Sequence, residues 1–205
     1  MFLMFKPHIV GLGGTLRPGS SSEVALRFAL DEAASLGATV TLLSGDALTM
    51  PMYAPEDAFR CDRARLLIDE ISRAHGILLA SPGYHGSVSG LLKNALDYVE
   101  DLREAPRPYF HGRAVGLIAC AYGWQATGTT LVAMRSIVHA LRGWPTPLGV
   151  AINSSMKVFA ADGEPTDASV AAQLRNLACQ VVEFASARAA LFGSEPTWQD
   201  RNNKF

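Results

Sequence analysis

Apolar positions along this chain follow two rhythms. Short apolar or β-branched runs around Ile9 and Val10 and at residues 39–43, 76–80, 114–121 and 148–152 predict strands. Between and after them, amphipathic stretches at residues 23–36, 62–74, 90–102, 129–141 and 167–191 predict helices. Val24, Phe28 and Leu36 mark the inward face of the first, and Leu66, Leu67 and Ile71 that of the second, with Arg63, Arg65, Asp69, Glu70 and Arg73 facing outward. Leu174, Leu177, Val181, Phe184 and Leu191 trace the stripe of the last. The unbroken runs at 76–80 and 114–121 suit strands covered on both faces, as a parallel sheet demands.

Strand and helix alternate five times, so the class is α/β. Right-handed crossovers allow a doubly wound five-stranded parallel sheet in the order 2-1-3-4-5, with helices on both faces. Ligands of such sheets sit beyond the carboxyl ends of the strands. The unusual loops of this chain follow strands one, three and four, all on that edge. The longer connection at 44–57, with Gly45, Pro51 and Pro55, borders it. Residues 103–112 read as a connection, 122–127 as a loop and 153–166 as a small excursion.

The first of these loops is Gly13-Gly14-Thr15-Leu16-Arg17-Pro18-Gly19-Ser20-Ser21-Ser22. Glycines let a backbone approach a ligand closely, and a helix start offers N–H groups and partial positive charge. Thr15, Ser20, Ser21 and Ser22 add hydroxyls, and Arg17 adds a cation. Together they predict a phosphate site; the other reading is a Gly/Ser-rich connection with an N-cap. Gly14 and Gly19 have P-loop spacing, but Ser20 stands where the lysine belongs, which argues against a triphosphatase. Gly11 and Gly13 begin a dinucleotide fingerprint, but Leu16 replaces its third glycine and no acid closes the second strand. A terminal monophosphate such as that of FMN fits better.

Composition narrows the function further. The chain has 205 residues, 49% apolar and 18% charged, which suits one well-buried domain over residues 1–193, followed by a polar tail at 194–205. A net charge of −1 gives no drive toward nucleic acid or an anionic membrane. The apolar start at residues 1–5 is too short for a signal segment, and no run approaches a membrane span, so a cytoplasmic protein is expected. Cys61, Cys120 and Cys179 are odd in number and far apart, and the five histidines are scattered. Neither disulfide nor metal site is expected. A metal-dependent receiver would need acids at the strand ends, where Gly13, Gly14, Ser81 and Pro82 stand instead.

The second loop and the helix after it read Ser81-Pro82-Gly83-Tyr84-His85-Gly86-Ser87-Val88-Ser89-Gly90-Leu91-Leu92-Lys93-Asn94-Ala95-Leu96-Asp97. Here the chain resembles the NAD(P)H-dependent FMN reductases of the flavodoxin-like superfamily. Those carry Gly-Ser-x-Arg-x-x-Ser after strand one, which reads Gly14-Thr15-Leu16-Arg17-Pro18-Gly19-Ser20 here. After strand three they carry Ser-Pro-Glu-Tyr-Asn-Gly-Ser and then Leu-Lys-Asn-Ala-Leu-Asp; Gly83 replaces the Glu and His85 the Asn. The resemblance runs over residues 9–152.

The resemblance implies a flavodoxin-like fold and an enzyme that passes hydride from NAD(P)H to FMN. Reduced flavin then leaves, or hands electrons to a quinone, an azo compound or a similar acceptor. Thr15, Arg17, Ser20 and Ser22 would hold the FMN phosphate, with Ser21 beside them. Pro82, Gly83, Tyr84, His85, Gly86 and Ser87 would line the isoalloxazine. At the third loop Tyr122, Gly123 and Trp124 stand where the family is glycine-rich. The aromatic pair either stacks on flavin or nicotinamide or packs at a subunit contact. His85 likewise has the alternative of a surface loop residue. No catalytic side chain is expected, since the cofactor carries the chemistry. The family also implies a homodimer or homotetramer, and a flavin-dependent monooxygenase as one recipient of reduced flavin. The rival reading is a flavodoxin-type electron carrier; such carriers are usually strongly acidic, unlike this chain.

Overall fold

The computed structural model describes residues 5–193. Five parallel strands, β1 (His8–Gly13), β2 (Thr39–Ser44), β3 (Gly76–Pro82), β4 (Ala114–Ala121) and β5 (Trp144–Asn153), form one sheet in the order β2-β1-β3-β4-β5. The helices between and after them are α1 (Ser21–Ser35), α2 (Asp62–Arg73), α3 (Gly90–Asp97), α4 (Trp124–Ala140) and α5 (Ala168–Phe192). The expected architecture and strand order are both found. The 194–205 tail lies outside the described residues.

Side chains alternate across each strand, so one strand feeds two cores. On β3, Leu78 and Ala80 join Leu26 and Leu30 of α1 and Leu174 and Val181 of α5. Ile77 and Leu79 face the other way, toward Leu67 and Ile71 of α2, Leu92 and Leu96 of α3, and Met134 and Val138 of α4. The helix starts have chemical reasons. Ser20 Oγ accepts from the Glu23 N–H at 3.4 Å, Ser89 Oγ from Leu92 at 3.2 Å, and Asp167 Oδ1 from Ser169 at 2.8 Å.

Several boundaries differ from the expected ones. Helix α4 begins at Trp124 rather than 129, so the third loop shrinks to Tyr122 and Gly123. Strand β5 begins at Trp144 and takes in Pro145 and Pro147. A proline cannot donate to a ladder, but β5 is an edge strand and its register with β4 shifts between Val115 and Leu117. The helix expected over 90–102 is α-helical to Asp97 and tightens to a 3-10 turn at Tyr98–Leu102. The connection after β2 opens with a 3-10 turn, Gly45–Leu48. Three leucines expected inside are at the surface: Leu36, Leu66 and Leu191. Leu36 lies just past the end of α1, Leu66 is rotated out beside the buried Leu67, and Leu191 falls in the last turn of α5. Among the described residues no helix is long and apolar enough to cross a membrane.

Candidate functional site

The parallel register brings the ends of β1, β3 and β4 side by side, Gly13 next to Ala80 and Pro82 next to Cys120. The three unusual loops therefore leave the same edge.

The loop after β1 is fastened at its base and open at its tip. Gly14 N donates to the Ala80 carbonyl at 2.8 Å, and a Cβ on Gly14 would come within 2.6 Å of Ser89 Oγ at the cap of α3. Arg17 N donates to Thr15 Oγ1 at 3.1 Å, and Gly19 N to Glu23 Oε2 at 3.0 Å. Ser20 Oγ is the cap of α1 and lies 3.3 Å from Ser22 Oγ, so these two hydroxyls already serve the loop. The backbone N–H groups of Thr15, Leu16, Ser21 and Ser22 donate to no described residue. Arg17 is exposed and forms no ion pair among the described residues. Two open amides at the start of α1, two more in the loop that leads to it and the exposed guanidinium of the same loop are donors that could hold an anion.

The loop after β3 is a tight turn. Tyr84 N donates to the Ser87 carbonyl at 3.0 Å and Ser87 N returns to the Tyr84 carbonyl at 3.1 Å. His85 and Gly86 between them have φ of 51° and 84°, both positive as a type I′ turn demands. Histidine tolerates that region better than most residues, as asparagine does. The exchange of Asn for His thus keeps the turn. The amides of His85 and Gly86 have no partner among the described residues. Buried Ser81 ties the loop ends together, donating to the Pro82 carbonyl at 2.8 Å and accepting from Ser89 N at 3.0 Å. Gly83 N donates to the Cys120 carbonyl at 2.8 Å, and a Cβ on Gly83 would lie 2.6 Å from Thr130 Oγ1 and 3.0 Å from Ala121 Cβ. Helix α4 has closed onto this position, so no side chain fits there.

The loop after β4 is the shortest. Gly123, with φ of 104°, caps α4 without any side chain, and its N–H donates to Asn153 Oδ1 at 3.0 Å. The same oxygen accepts from the Ser155 backbone at 3.1 Å and hydroxyl at 2.8 Å. Asn153 thus joins the end of β5 to the third loop, a role the sequence pattern leaves hidden inside the excursion after β5. Tyr122 and Trp124 are 82% and 61% exposed, so neither packs within the chain. The first turn of α4 presents open amides beside them.

Asn94, from the motif on α3, has a supporting role. Its Oδ1 accepts from Tyr53 N at 2.8 Å and its Nδ2 donates to the Pro51 carbonyl at 2.9 Å. It holds the long connection after β2 against α3.

A cavity of about 820 Å³ opens beside Pro18, Gly19 and Ser21, between α1 and residues 154–164. Glu23, Asp31, Asp162 and Glu164 line it against Arg27 and Lys157. Carboxylates outnumber cations, so this cavity suits an anion less well than the loop does. Burial pushes the Cys120 thiol up to about 12, so that cysteine is an inert apolar group. Among the described residues no group of three or more His, Cys, Asp and Glu gathers as metal ligands would. The three loops offer amides, hydroxyls and aromatic faces. Such groups bind and orient a ligand and leave its chemistry to the ligand itself.

Residues 7–157 match the family model described as NADPH-dependent FMN reductase. The FMN-dependent NADPH-azoreductase of Staphylococcus aureus is 32% identical over 122 residues, which are 58% of this chain and 61% of that protein. The chain therefore spans about three-fifths of that relative's length. Among solved structures, the FerB flavoenzyme NAD(P)H:(acceptor) oxidoreductase from Paracoccus denitrificans superposes with a TM-score of 0.73 at 21% identity, over 89% of this chain and 98% of that one. An oxidoreductase from Corynebacterium diphtheriae superposes with a TM-score of 0.68 at 15% identity, again over 89% and 98%. The two superpositions speak for the fold. The family match covers the whole sheet and all three loops built above. On that extent of match, the chain belongs to the NADPH-dependent FMN reductase family.

Proposed function

We propose that this protein is an NAD(P)H-dependent FMN reductase, acting as a single FMN-binding domain. One observation carries the reading. The single loop from β1 to α1 carries the open amides of Thr15 and Leu16, those of Ser21 and Ser22 at the helix start, and unpaired Arg17, one strand away from a turn with two more open amides. A monophosphate fits the first cluster, and a flat ring with polar edges fits the second.

FMN, when bound, supplies the capacity to accept hydride from a nicotinamide and pass electrons on. The chain's part is to bind and orient. Thr15, Arg17, Ser20, Ser21 and Ser22 hold the phosphate, mainly through main-chain N–H groups, because the Ser20 and Ser22 hydroxyls already face each other. Pro82, Gly83, Tyr84, His85, Gly86 and Ser87 form the wall for the ring, with the His85 and Gly86 amides as donors to its polar edge. Tyr122 and Gly123 close the far side. Exposed Tyr84, Tyr122 and Trp124 leave a face for the nicotinamide, or for a second copy of the chain in a homodimer or homotetramer. Quinones, azo compounds or a flavin-dependent monooxygenase are the proposed onward acceptors.

The test is direct. Apo protein is titrated with FMN by flavin fluorescence, and NADH and NADPH oxidation is followed with free FMN and with a quinone. Saturable FMN binding and flavin-dependent turnover are expected. A protein that binds no flavin and oxidises neither nicotinamide overturns the reading. A stable one-electron form on reductive titration without hydride acceptance points to an electron carrier.

A further inference from the structure

The start of α1 already carries an anion of its own. The Glu23 carboxylate accepts from Gly19 N at 3.0 Å through Oε2, and from Arg27 at 3.2 and 2.8 Å through Oε1. Ser20 Oγ in return accepts from Glu23 N. The arrangement is a capping box stretched by one residue, since the carboxylate reaches Gly19 rather than the cap residue's own N–H. The Glu23 side chain is 12% exposed, so it is held against the loop and not in bulk water. Its partner Arg27 is 57% exposed.

A carboxylate here draws on the same partial positive charge that a phosphate dianion would use. Two anions on one helix start repel each other, and this repulsion is only partly screened near a protein surface. Glu23 also occupies Arg27, the next cation along the helix, which leaves Arg17 as the loop's unpaired one. We infer that Glu23 is a built-in competitor of the flavin phosphate. It holds the loop in shape while ligand is absent, and it weakens the grip on FMN so that the nucleotide exchanges. The inference rests on the phosphate reading above.

Two variants with opposite expected effects test it. Glu23→Gln keeps an acceptor for the Gly19 N–H but removes the charge and releases Arg27. It should bind FMN about three- to tenfold more tightly, with riboflavin, which lacks the phosphate, unchanged. Arg27→Gln leaves the Glu23 charge uncompensated and should bind FMN more weakly, again with riboflavin unchanged. Both differences should shrink as salt rises from about 0.05 to 0.5 M. Affinities are read from flavin fluorescence on apo protein, and thermal melts check that each variant is folded. Glu23→Gln binding FMN no more tightly than the parent overturns the inference. Equal affinity of the parent for FMN and riboflavin overturns the phosphate reading, and this inference with it.

Discussion

The two ends of the sheet contrast sharply in how their polar groups are used. At the amino end, buried Arg113 donates to three carbonyls, Ala74 and Ser72 at 2.9 and 2.8 Å and Tyr109 at 2.8 Å. His8 Nε2 lies 3.0 Å from Thr41 Oγ1 and 3.3 Å from Glu70 Oε2, and Arg73 pairs with Glu70 as well. That end has a groove of about 800 Å³, but the charges in its walls are largely paired with one another. At the carboxyl end the amides of Thr15, Leu16, Ser21, Ser22, His85 and Gly86 are open, and Arg17, in the first of these two loops, is exposed and unpaired. Cavity size does not separate a structural end from the proposed binding end. Clustered open main-chain amides do; the Arg188 guanidinium against Gly112 at the amino end also keeps its buried Nε and Nη2 without a hydrogen-bond partner, but those are side-chain donors.

The contrast can be tested by breaking each end in turn. The largest effect is expected at the amino end. Arg113→Met orphans three buried carbonyls and should lower unfolding free energy by about 3–5 kcal/mol in urea titration, with little change in FMN affinity of the folded protein. A loss below about 1 kcal/mol would mean those carbonyls find other partners. Arg17→Ala should do the reverse. Exposed and unpaired, it should leave the melting temperature unchanged while FMN affinity falls about ten- to a hundredfold, as for a charge-assisted hydrogen bond.

Gly83→Ala lies between the two kinds of effect. Its Cβ meets Thr130 Oγ1, so overpacking should cost about 1–3 kcal/mol of stability and displace the proposed ring wall. Adding Thr130→Ala removes that contact and should restore part of both stability and flavin affinity. Failure of the rescue would show that another neighbour sets the fit.

The smallest effect concerns pH. Burial lowers the His8 pKa below its ordinary 6.5, Arg73 adds to this, and Glu70 opposes it. A depressed base favours folding in its neutral form. Its contribution is therefore complete above pH 6.5 and is lost as pH falls through the lower folded value. Thermal melts between about pH 7 and 5 should show this loss, and His8→Gln should flatten it. FMN affinity, set at the opposite edge, should not follow the same titration.

The chain's own pattern determined the strands, their order and the edge on which the loops gather. Apolar runs and helical stripes are local signals, and right-handed crossovers leave few ways to join them. The Gly/Ser loop could be identified for the same reason: its glycines, hydroxyls and the cap at Ser20 act within a few residues. Tertiary structure alone decided the rest. It brought Asn153 to Gly123, Thr130 against Gly83, and Arg113 to the C-terminal end of α2. It also placed Leu36, Leu66 and Leu191 outside despite their apolar character. Those outcomes depend on how closely distant segments pack, and a one-dimensional pattern carries no distance between them.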